Sequence, residues 1–375
     1  MAVSICVPPM PVGSIILRRW EHWFSFTTKM SFSDSLTRRD FLKLAGLGLT
    51  TVLGWNATAT RAASGLFPNQ EGRVLKNSIQ LFEYPSFDSV PIKEQWKDII
   101  LPITGITVSK DKTAYNRIWY EIDEEGYAYS GEIQPVQTRL NSVRKRHPKE
   151  GSLAEVTVPY TDAREYPNED SKHIYRLYYE TTHWIIETIV DEEKQKVWYK
   201  LRDDKWKNEY YHVPAEHLRI FSKKELAPIS PEVPEYKKSI EVRLSQQLVI
   251  AYEGLRPVFA ARAATGTRLR DGSYYTPQGI FTTYYKRPSR HMADGNLAYN
   301  GFDLPGVPWV VYINESGISF HGTYWHNDYG APRSHGCINL TPQAAKWLYL
   351  WTSPTVKPEK EYVYEYSGTH VEIVE

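Results

Sequence analysis

One cysteine and the histidines around it supply the residue types needed for covalent catalysis. Cys337 stands in the segment "RSHGCINL", residues 333–340, and the chain has only one other cysteine, Cys6. His321 precedes Cys337 by 16 residues and His335 precedes it by two. The reactive form of cysteine is the thiolate, and a nearby histidine is the usual means of generating it. These residues therefore predict acyl transfer through a cysteine nucleophile.

The local pattern also predicts how these side chains meet. His321 closes the alternating run "ISFHG", which a strand would hold rigidly, while His335 and Cys337 would share one face of an extended segment. Gly322 and Gly336 permit close backbone approach. The amides around Gly336 and Cys337 are candidates for an oxyanion hole.

The elements that carry these residues are predicted to be mostly strands. The segment "SIEVRLSQQLVIAYEG" predicts two strands joined by a Ser-Gln-Gln turn, and further alternating runs follow as far as "VPWVVYINESGISFHG". In this region only "TPQAAKWLYLWTS" predicts a helix, because Thr341 can cap it and Pro342 suits its first turn. The cysteine is thus expected in a loop just ahead of that helix.

The region upstream also predicts short strands. The segments "RIWYEID" and "GYAYSGEIQPV" resemble an SH3-like module, and "KVWYKLRDD" and "EYYHVPAEHLRIF" echo them. This predicts SH3-like small β-barrels at 99–140 and 150–222, with one larger β-domain as the open alternative. Residues 64–98 are expected to be a polar lead-in with helical character around 93–100. The proline-rich segment 223–238 predicts a linker.

Residues 1–63 differ from the rest of the chain. A twin-arginine pair in "LTRRDFLK" precedes the apolar run "LAGLGLTTVLGW", which falls short of the about 20 residues needed to span a membrane. This pattern predicts a signal for twin-arginine export, with Met30 as an alternative start and cleavage near residues 57–63. A buried N-terminal helix is the alternative. If the signal is kept, it would anchor the protein to the membrane.

Charge and cysteine content narrow the function classes. The chain has 45 Lys and Arg against 44 Asp and Glu; without residues 1–63, which hold seven basic and three acidic side chains, 38 basic and 41 acidic side chains remain. This balance argues against nucleic acid as a partner. An exported chain usually pairs its cysteines, so a single thiol is either a reactive group or an accident.

The segment "HGTYWHNDYGAPRSHGCINL", together with "TPQGIF" and "VRLSQQLVIAYEG" upstream, resembles the YkuD-type catalytic domain of the L,D-transpeptidases. The family pattern is a histidine, a gap, then Ser or Thr, His, Gly, Cys, one residue, and Asn or Arg. The resemblance covers residues 237–375, with the domain itself expected at 239–375. It implies a mainly β, sandwich-like catalytic fold that needs neither cofactor nor metal.

The resemblance also implies a role for each residue. Cys337 would be the nucleophile and His321 the general base, oriented by the backbone carbonyl of Gly322. His335 would shape the pocket and, with the Gly336 amide, help form the oxyanion hole. The residues expected to hold the loop or contact substrate are Arg333, Ser334, Asn339, Tyr324, Trp325 and, from a flap at 291–308, Met292 and Tyr299.

The implied reaction is peptidoglycan crosslinking in the cell envelope. A tetrapeptide stem would acylate the cysteine with loss of D-alanine, and an amine on a neighbouring stem would resolve the thioester. Carbapenems would acylate the same thiol, and a monomer is expected. Water or a protein amine could replace the acceptor, giving an L,D-carboxypeptidase or an enzyme that anchors proteins to the wall.

The residues alone leave open two functions that do not use a cysteine nucleophile. A zinc hydrolase would use ligands from His321, His326, Asp328, His335 and Cys337. A wall-binding protein would instead work through its SH3-like units and need no catalysis. Within the enzyme reading, His326 is the second candidate for the base.

Overall fold

The computed structural model describes residues 70–192, 194–206, 208–269, 272–298 and 301–375. The predicted signal, Met30 and Cys6 lie outside these residues, as does Tyr299. Three β-rich parts follow one another along the described chain: a first β unit (residues 70–136), a second β unit (152–220) and a C-terminal module (238–374). The protein is therefore mainly β, as the sequence predicts.

The first β unit is a seven-stranded sheet in the order β3-β2-β6-β5-β4-β1-β7. Its strands are β1 Glu71–Val74, β2 Ser78–Phe82, β3 Pro91–Trp96, β4 Ile100–Val108, β5 Ile118–Ile122, β6 Tyr127–Tyr129 and β7 Ile133–Val136. The prediction of a lead-in with helical character is wrong for residues 70–98. Alternation in "SIQLF" and pairing of β2 with β3 place these residues in the sheet.

The second β unit repeats this arrangement, in the order β10-β9-β13-β12-β11-β8-β14. Its strands are β8 Ser152–Val156, β9 Tyr160–Arg164, β10 His173–Tyr178, β11 Thr182–Asp191, β12 Lys196–Arg202, β13 Tyr210–Pro214 and β14 Leu218–Ile220. Adding seven to each strand number of the first sheet gives the order of the second. Each unit also has its own apolar core, so the repeat seen in the sequence corresponds to two similar sheets. Their likeness to SH3 modules stays a prediction.

The C-terminal module has two five-stranded sheets, ordered β17-β16-β15-β26-β20 and β24-β23-β22-β21-β25, and a two-stranded ribbon, β18-β19. Its elements are β15 Lys238–Arg243, β16 Leu248–Glu253, β17 Arg256–Arg262, β18 Arg268–Leu269, β19 Gly272–Ser273, β20 Gly279–Thr282, β21 Tyr285–Asp294, β22 Phe302–Tyr312, β23 Ser319–Gly322, β24 Ile338–Leu340, α1 Pro342–Trp351, β25 Val363–Tyr364 and β26 His370–Val374.

One apolar core joins the two five-stranded sheets and the helix. Val242 of β15, Phe320 of β23 and Leu348 of α1 are all buried in it. The predicted helix is confirmed at residues 342–351, and the Thr341 hydroxyl accepts the Ala344 N–H at 3.2 Å as its N-cap. This core fixes the strands that carry the histidine and the cysteine.

Leu153 and Trp184 of the second β unit also belong to that core. The segment between the second unit and the C-terminal module, which the sequence predicts as a linker, contains no strand and contributes the buried Leu226. Within the described part of the chain, no helix is both long and apolar enough to cross a membrane.

Candidate active site

The sheet β22-β23-β24 brings the cysteine and its neighbours to one face. Register pairs Val311 with Phe320 and Phe320 with Ile338, and all three point into the core. Because side chains alternate along a strand, the residues next to them lie on the opposite face. There the Cys337 Sγ lies 3.6 Å from the Ser319 hydroxyl and 3.6 Å from the Gly317 carbonyl oxygen.

His321 shares this face. It stands directly opposite Asn339 of β24, and Cys337 lies two residues before Asn339, in the bend that leads into this strand, so His321 and Cys337 are diagonal neighbours. The His321 Nδ1 lies 3.1 Å from the Gly322 carbonyl oxygen. A carbonyl only accepts hydrogen bonds, so Nδ1 carries the proton and Nε2 keeps its lone pair. This tautomer is the one that a general base requires.

Burial keeps both groups uncharged at rest. Burial lowers the pKa of His321 to about 4, although the hydrogen bond to the Gly322 carbonyl opposes the shift. Burial also raises the pKa of the Cys337 thiol, while hydrogen bonds from Ser319 act against this. At neutral pH the pair is therefore a thiol and a neutral imidazole.

The cysteine loop is fixed by three short hydrogen bonds. The Ser334 hydroxyl donates to the Cys337 carbonyl at 2.5 Å and accepts the Gly336 N–H at 3.1 Å. The Thr276 hydroxyl donates to the Gly336 carbonyl at 2.7 Å. Gly336 has a φ of +106°, and a Cβ there would stand 2.6 Å from Ile318 Cδ1, so a side chain would strain this turn. Because the Gly336 amide is bound to Ser334, it is not free to act as the predicted oxyanion donor in this state.

His335 lies between two aromatic rings. Its ring centroid is 4.8 Å from that of Tyr274 and 5.5 Å from that of Phe302. Its buried Nε2 has no hydrogen-bond partner among the described residues. An unpaired buried polar atom two residues before Cys337 is a candidate for binding a ligand.

Asn339 and His326 form a buried pair beside His321. The Asn339 Nδ2 lies 3.0 Å from the His326 Nε2, and the Asp328 N–H donates to the His326 Nδ1 at 3.3 Å. With both ring nitrogens engaged, His326 is a poor candidate for the base. The side chains proposed as zinc ligands do not converge, since no group of three such residues able to hold a metal occurs in the described part of the chain.

The other predicted substrate residues fall into two groups. Trp325 is half-buried with its ring centroid 5.7 Å from that of His321, and half-buried Met292 packs against the same small cluster as Trp325. Tyr324 is 4% exposed and stacks on Tyr178, while Arg333 forms an ion pair with Asp328. In this state the side chains of Tyr324 and Arg333 are therefore engaged in contacts within the protein.

The first β unit holds the loop that runs from His321 towards the cysteine. The Asn327 side chain donates to the carbonyls of Ser130 (3.1 Å) and Ile133 (3.0 Å), and Arg73 donates to the Tyr324 carbonyl at 2.5 Å. Asp328 accepts hydrogen bonds from the Tyr115 and Tyr129 hydroxyls at 2.6 and 3.0 Å. Sequence reasoning missed these contacts, because "HND" gives no sign of a partner some 200 residues away.

The second β unit holds the hairpin β21-β22 in a similar way. Buried His291 lies between two carboxylates, Asp203 of the second unit (2.6 Å from Nδ1) and Asp303 of the hairpin. Asp204 pairs with Arg287 and Arg290 at 3.1 and 2.8 Å. The two upstream units thus support two different walls of the site.

Comparison with known proteins agrees with this geometry. Residues 237–373 match the family model of the YkuD L,D-transpeptidase catalytic domain. The resemblance predicted from the sequence is thereby confirmed for the C-terminal module. We refer to this module below as the L,D-transpeptidase domain.

Individual relatives are similar to part of this chain. The protein YciB of Bacillus subtilis (strain 168), named as an L,D-transpeptidase, is 28% identical over 137 residues, covering 32% of this chain and 66% of its own length. A solved mutant of the Enterococcus faecium L,D-transpeptidase is 22% identical with a TM-score of 0.29, covering 37% of this chain and 50% of that one. The Mycobacterium smegmatis L,D-transpeptidase is 16% identical with a TM-score of 0.31, covering 52% and 91%.

Proposed function

We propose that this protein is an exported L,D-transpeptidase that crosslinks peptidoglycan through an acyl-enzyme on Cys337. The observation that carries the proposal is the placement of Cys337 and His321 on one sheet face, with the His321 tautomer set by the Gly322 carbonyl. The family match at residues 237–373 supplies the substrate class. The twin-arginine pattern in residues 36–43 supports export to the envelope.

In the first half-reaction the thiol is activated only when substrate is bound. The His321 Nε2 takes the proton from Cys337, and the sulfur attacks the carbonyl that joins an L-centred residue to the terminal D-alanine of the donor stem. As the carbon–nitrogen bond breaks, the imidazolium returns the proton to the departing amine. D-alanine leaves and a thioester remains on Cys337.

In the second half-reaction an amine of a neighbouring stem attacks the thioester. His321 receives the proton of the attacking amine, the carbon–sulfur bond breaks, and the proton returns to the sulfur. The products are a new amide crosslink and the free thiol. The absence of a partner for the buried Nε2 of His335 among the described residues supports a role for this atom as a hydrogen-bond donor to substrate or to the oxyanion of the intermediates.

The acceptor separates this reaction from its alternatives. Water would make the protein an L,D-carboxypeptidase, and a protein amine would make it a wall-anchoring enzyme. The same thiol and imidazole serve all three reactions. We favour an amine from a second stem because the family match is to transpeptidases.

The test is the intact mass of the full chain after mixing with a carbapenem, with and without a zinc chelator. We expect one covalent adduct that persists in chelator and is lost in Cys337→Ala. In His321→Gln the adduct should form at least about 100-fold more slowly, because a general base contributes this much. An adduct that remains in Cys337→Ala would overturn the proposal.

A second measurement decides the acceptor. The wild-type protein is incubated with a tetrapeptide donor, with and without an amine acceptor, and the products are separated by mass. Dimeric product with release of D-alanine supports transpeptidation. Tripeptide alone, in the presence of acceptor, would assign the carboxypeptidase reaction instead.

A further inference from the structure

A straight row of side chains leads from the catalytic thiol across the sheet. Register places Tyr312 opposite Ser319, and Tyr285 opposite both Tyr312 and Tyr364. Ser319 in turn contacts the Cys337 sulfur. Neighbouring strands are about 4.8 Å apart, so the four steps from the thiol to Tyr364 span roughly 19 Å.

The tyrosine rings in this row touch one another. Tyr285 and Tyr312 stack with centroids 5.0 Å apart at an interplanar angle of 16°. Tyr285 also contacts Tyr364 at 5.7 Å and Tyr362 at 5.8 Å, and Tyr364 contacts Tyr366 at 5.4 Å. We call these five residues, 285, 312, 362, 364 and 366, the tyrosine track. It gives a continuous aromatic surface that begins beside the nucleophile.

The far end of the tyrosine track faces solvent. Tyr362, Tyr364 and Tyr366 are 54%, 45% and 82% exposed, whereas Tyr285 and Tyr312 are half-buried. The sequence "YVYEY" puts a tyrosine at every second position, and Val363 between them packs against the core. The core therefore does not account for the three exposed rings. Clustered exposed aromatic surface marks an interaction site.

The inner end is coupled to the active site. Burial raises the pKa of Tyr312 to about 12, Arg290 opposes this, and the negative charge of a Cys337 thiolate adds to it. Half-buried Tyr312 also packs against the same cluster as Met292 and Trp325. A single extended ligand can therefore reach from the thiol along the tyrosine track.

The chemistry of the tyrosine track suits a neutral polyol. The Arg287 guanidinium lies 5.4 Å from the Tyr362 ring centre and donates to the Tyr285 hydroxyl at 2.8 Å, but its charge is already paired with Asp204 and Glu361. Aromatic faces pack against the apolar C–H faces of sugar rings, and tyrosine hydroxyls bind sugar hydroxyls. A glycan therefore fits this surface better than an anionic polymer does.

We propose that the tyrosine track binds the glycan-linked donor, with the stem peptide along Tyr312 and the glycan strand running from Tyr285 over Tyr362, Tyr364 and Tyr366. The proposal rests on the proposed function. The attacked carbonyl belongs to the third stem residue, and three extended residues reach about 10 Å from it. Counted from the thiol in steps of about 4.8 Å, this reach ends just beyond Tyr312, so the first sugar would lie near Tyr285 and the glycan strand would continue over the exposed rings.

Two measurements on the full chain test this proposal. The first is binding of glycan strands freed of their stem peptides to Cys337→Ala, compared with Cys337→Ala combined with Tyr364→Ala or Tyr366→Ala. The second is kcat/KM for a glycan-linked tetrapeptide relative to the free tetrapeptide, in the single tyrosine variants. Tyr236→Ala is the matched control, because Tyr236 is 83% exposed and lies before β15, away from the track.

We expect each tyrosine variant to bind stem-free glycan about tenfold more weakly and to lose a similar factor in preference for the linked substrate. Tyr236→Ala should behave like its parent. Unchanged glycan binding would overturn the proposal, as would a dimer in solution that Tyr366→Ala dissociates, since the track would then bind a second copy. Binding of stem-free glycan does not require the thiol. It can therefore be measured, and can fail or succeed, independently of the transpeptidase reaction.

Discussion

At the scale of single residues, the surroundings of Cys337, the proposed nucleophile, keep its thiol protonated at rest. Burial raises the pKa of Cys337 and lowers that of His321 to about 4, so no thiolate–imidazolium pair forms at rest. Ser319 opposes the shift at the thiol, and its hydroxyl lies 3.6 Å from the sulfur. Ser319 is not among the candidate residues that the sequence motif indicates. Its position two residues before His321 on an alternating strand could have revealed it.

We expect Ser319→Ala to raise the pKa of the Cys337 thiol further, because the thiolate loses a hydrogen bond that stabilises it. At any pH below the thiol pKa, the thiolate fraction and the rate of alkylation by iodoacetamide should fall by about fivefold. The pH profile of alkylation, followed by intact mass, checks this. Ser316→Ala, at an exposed serine in the preceding turn, is the control. If the alkylation profile of Ser319→Ala is unchanged or shifted to lower pH, Ser319 does not stabilise the thiolate.

At the scale of elements, α1 fixes the strands of the catalytic face from behind. Thr341 caps its N-terminus directly after β24. At its C-terminus the buried Lys286 amine donates to the carbonyls of Tyr349 and Thr352 at 2.6 Å each, and Lys238 donates to the Trp351 carbonyl at 2.9 Å. Cations and donors at this end satisfy carbonyls that the helix itself leaves unpaired. The helix is therefore fixed at both ends, and β24, which leads directly into its N-terminus, is fixed with it.

We predict that Thr341→Ala lowers the free energy of unfolding by about 1 kcal/mol, since the Ala344 N–H loses its acceptor. Thermal unfolding of both proteins measures this, with a drop of roughly 2–4 °C expected. Thr355→Ala, an exposed threonine beyond the helix, should unfold like the wild type. Equal midpoints for Thr341→Ala and Thr355→Ala would show that the cap contributes nothing.

At the scale of the whole molecule, the two upstream β units support the two sides of the active site. The first unit binds the loop after His321 through Arg73 and Asn327. The second unit binds the hairpin β21-β22 through Asp203 and His291. Burial lowers the pKa of His291, but hydrogen bonds to Asp203 and Asp303 outweigh it, and the net pKa is raised. The hairpin is thus held by a histidine that favours its charged form.

This arrangement gives a stability that depends on pH. A raised pKa in the folded state means that the contribution of His291 is complete below its unfolded pKa, about 6.5, and is lost as the pH rises through the folded value. Burial raises the pKa of Asp203, but hydrogen bonding to His291 and nearby amides leaves it lowered, so its contribution is lost as the pH falls through that lowered pKa, below about 3.8. Asp203 and His291 should therefore stabilise the folded protein most at pH values between these two pKa limits.

We therefore expect the difference in Tm between wild type and His291→Gln to shrink as the pH rises from about 6 to 9. Thermal unfolding at a series of pH values measures the difference. His370→Gln, at an exposed histidine on β26, controls for loss of an imidazole. If the difference in Tm between wild type and His291→Gln grows with pH, His291 is not charged in the folded protein.

The sequence by itself determined the family match of the C-terminal module and the local elements that carry its motif. The spacing of His321, His335 and Cys337 and the motif around them indicated the L,D-transpeptidase domain, because catalytic residues sit on short segments that leave a local pattern. Alternation and capping gave β15, β16 and α1, because strand and helix formation there depends on neighbours in the chain. The repeat in the upstream sequence also corresponded to two sheets of the same order.

Only the tertiary structure decided what surrounds the site. The contacts of Asn327 with the first β unit and of His291 with the second join residues 88 or more positions apart, and no local pattern encodes such partners. The same holds for the row from Cys337 to Tyr364, since each step follows from the register between strands. Register is set by packing of the side chains that face the core. The side chains on the opposite face of the sheet are aligned as a consequence. The sequence therefore indicated the nucleophile, and the fold decided which surface leads to it.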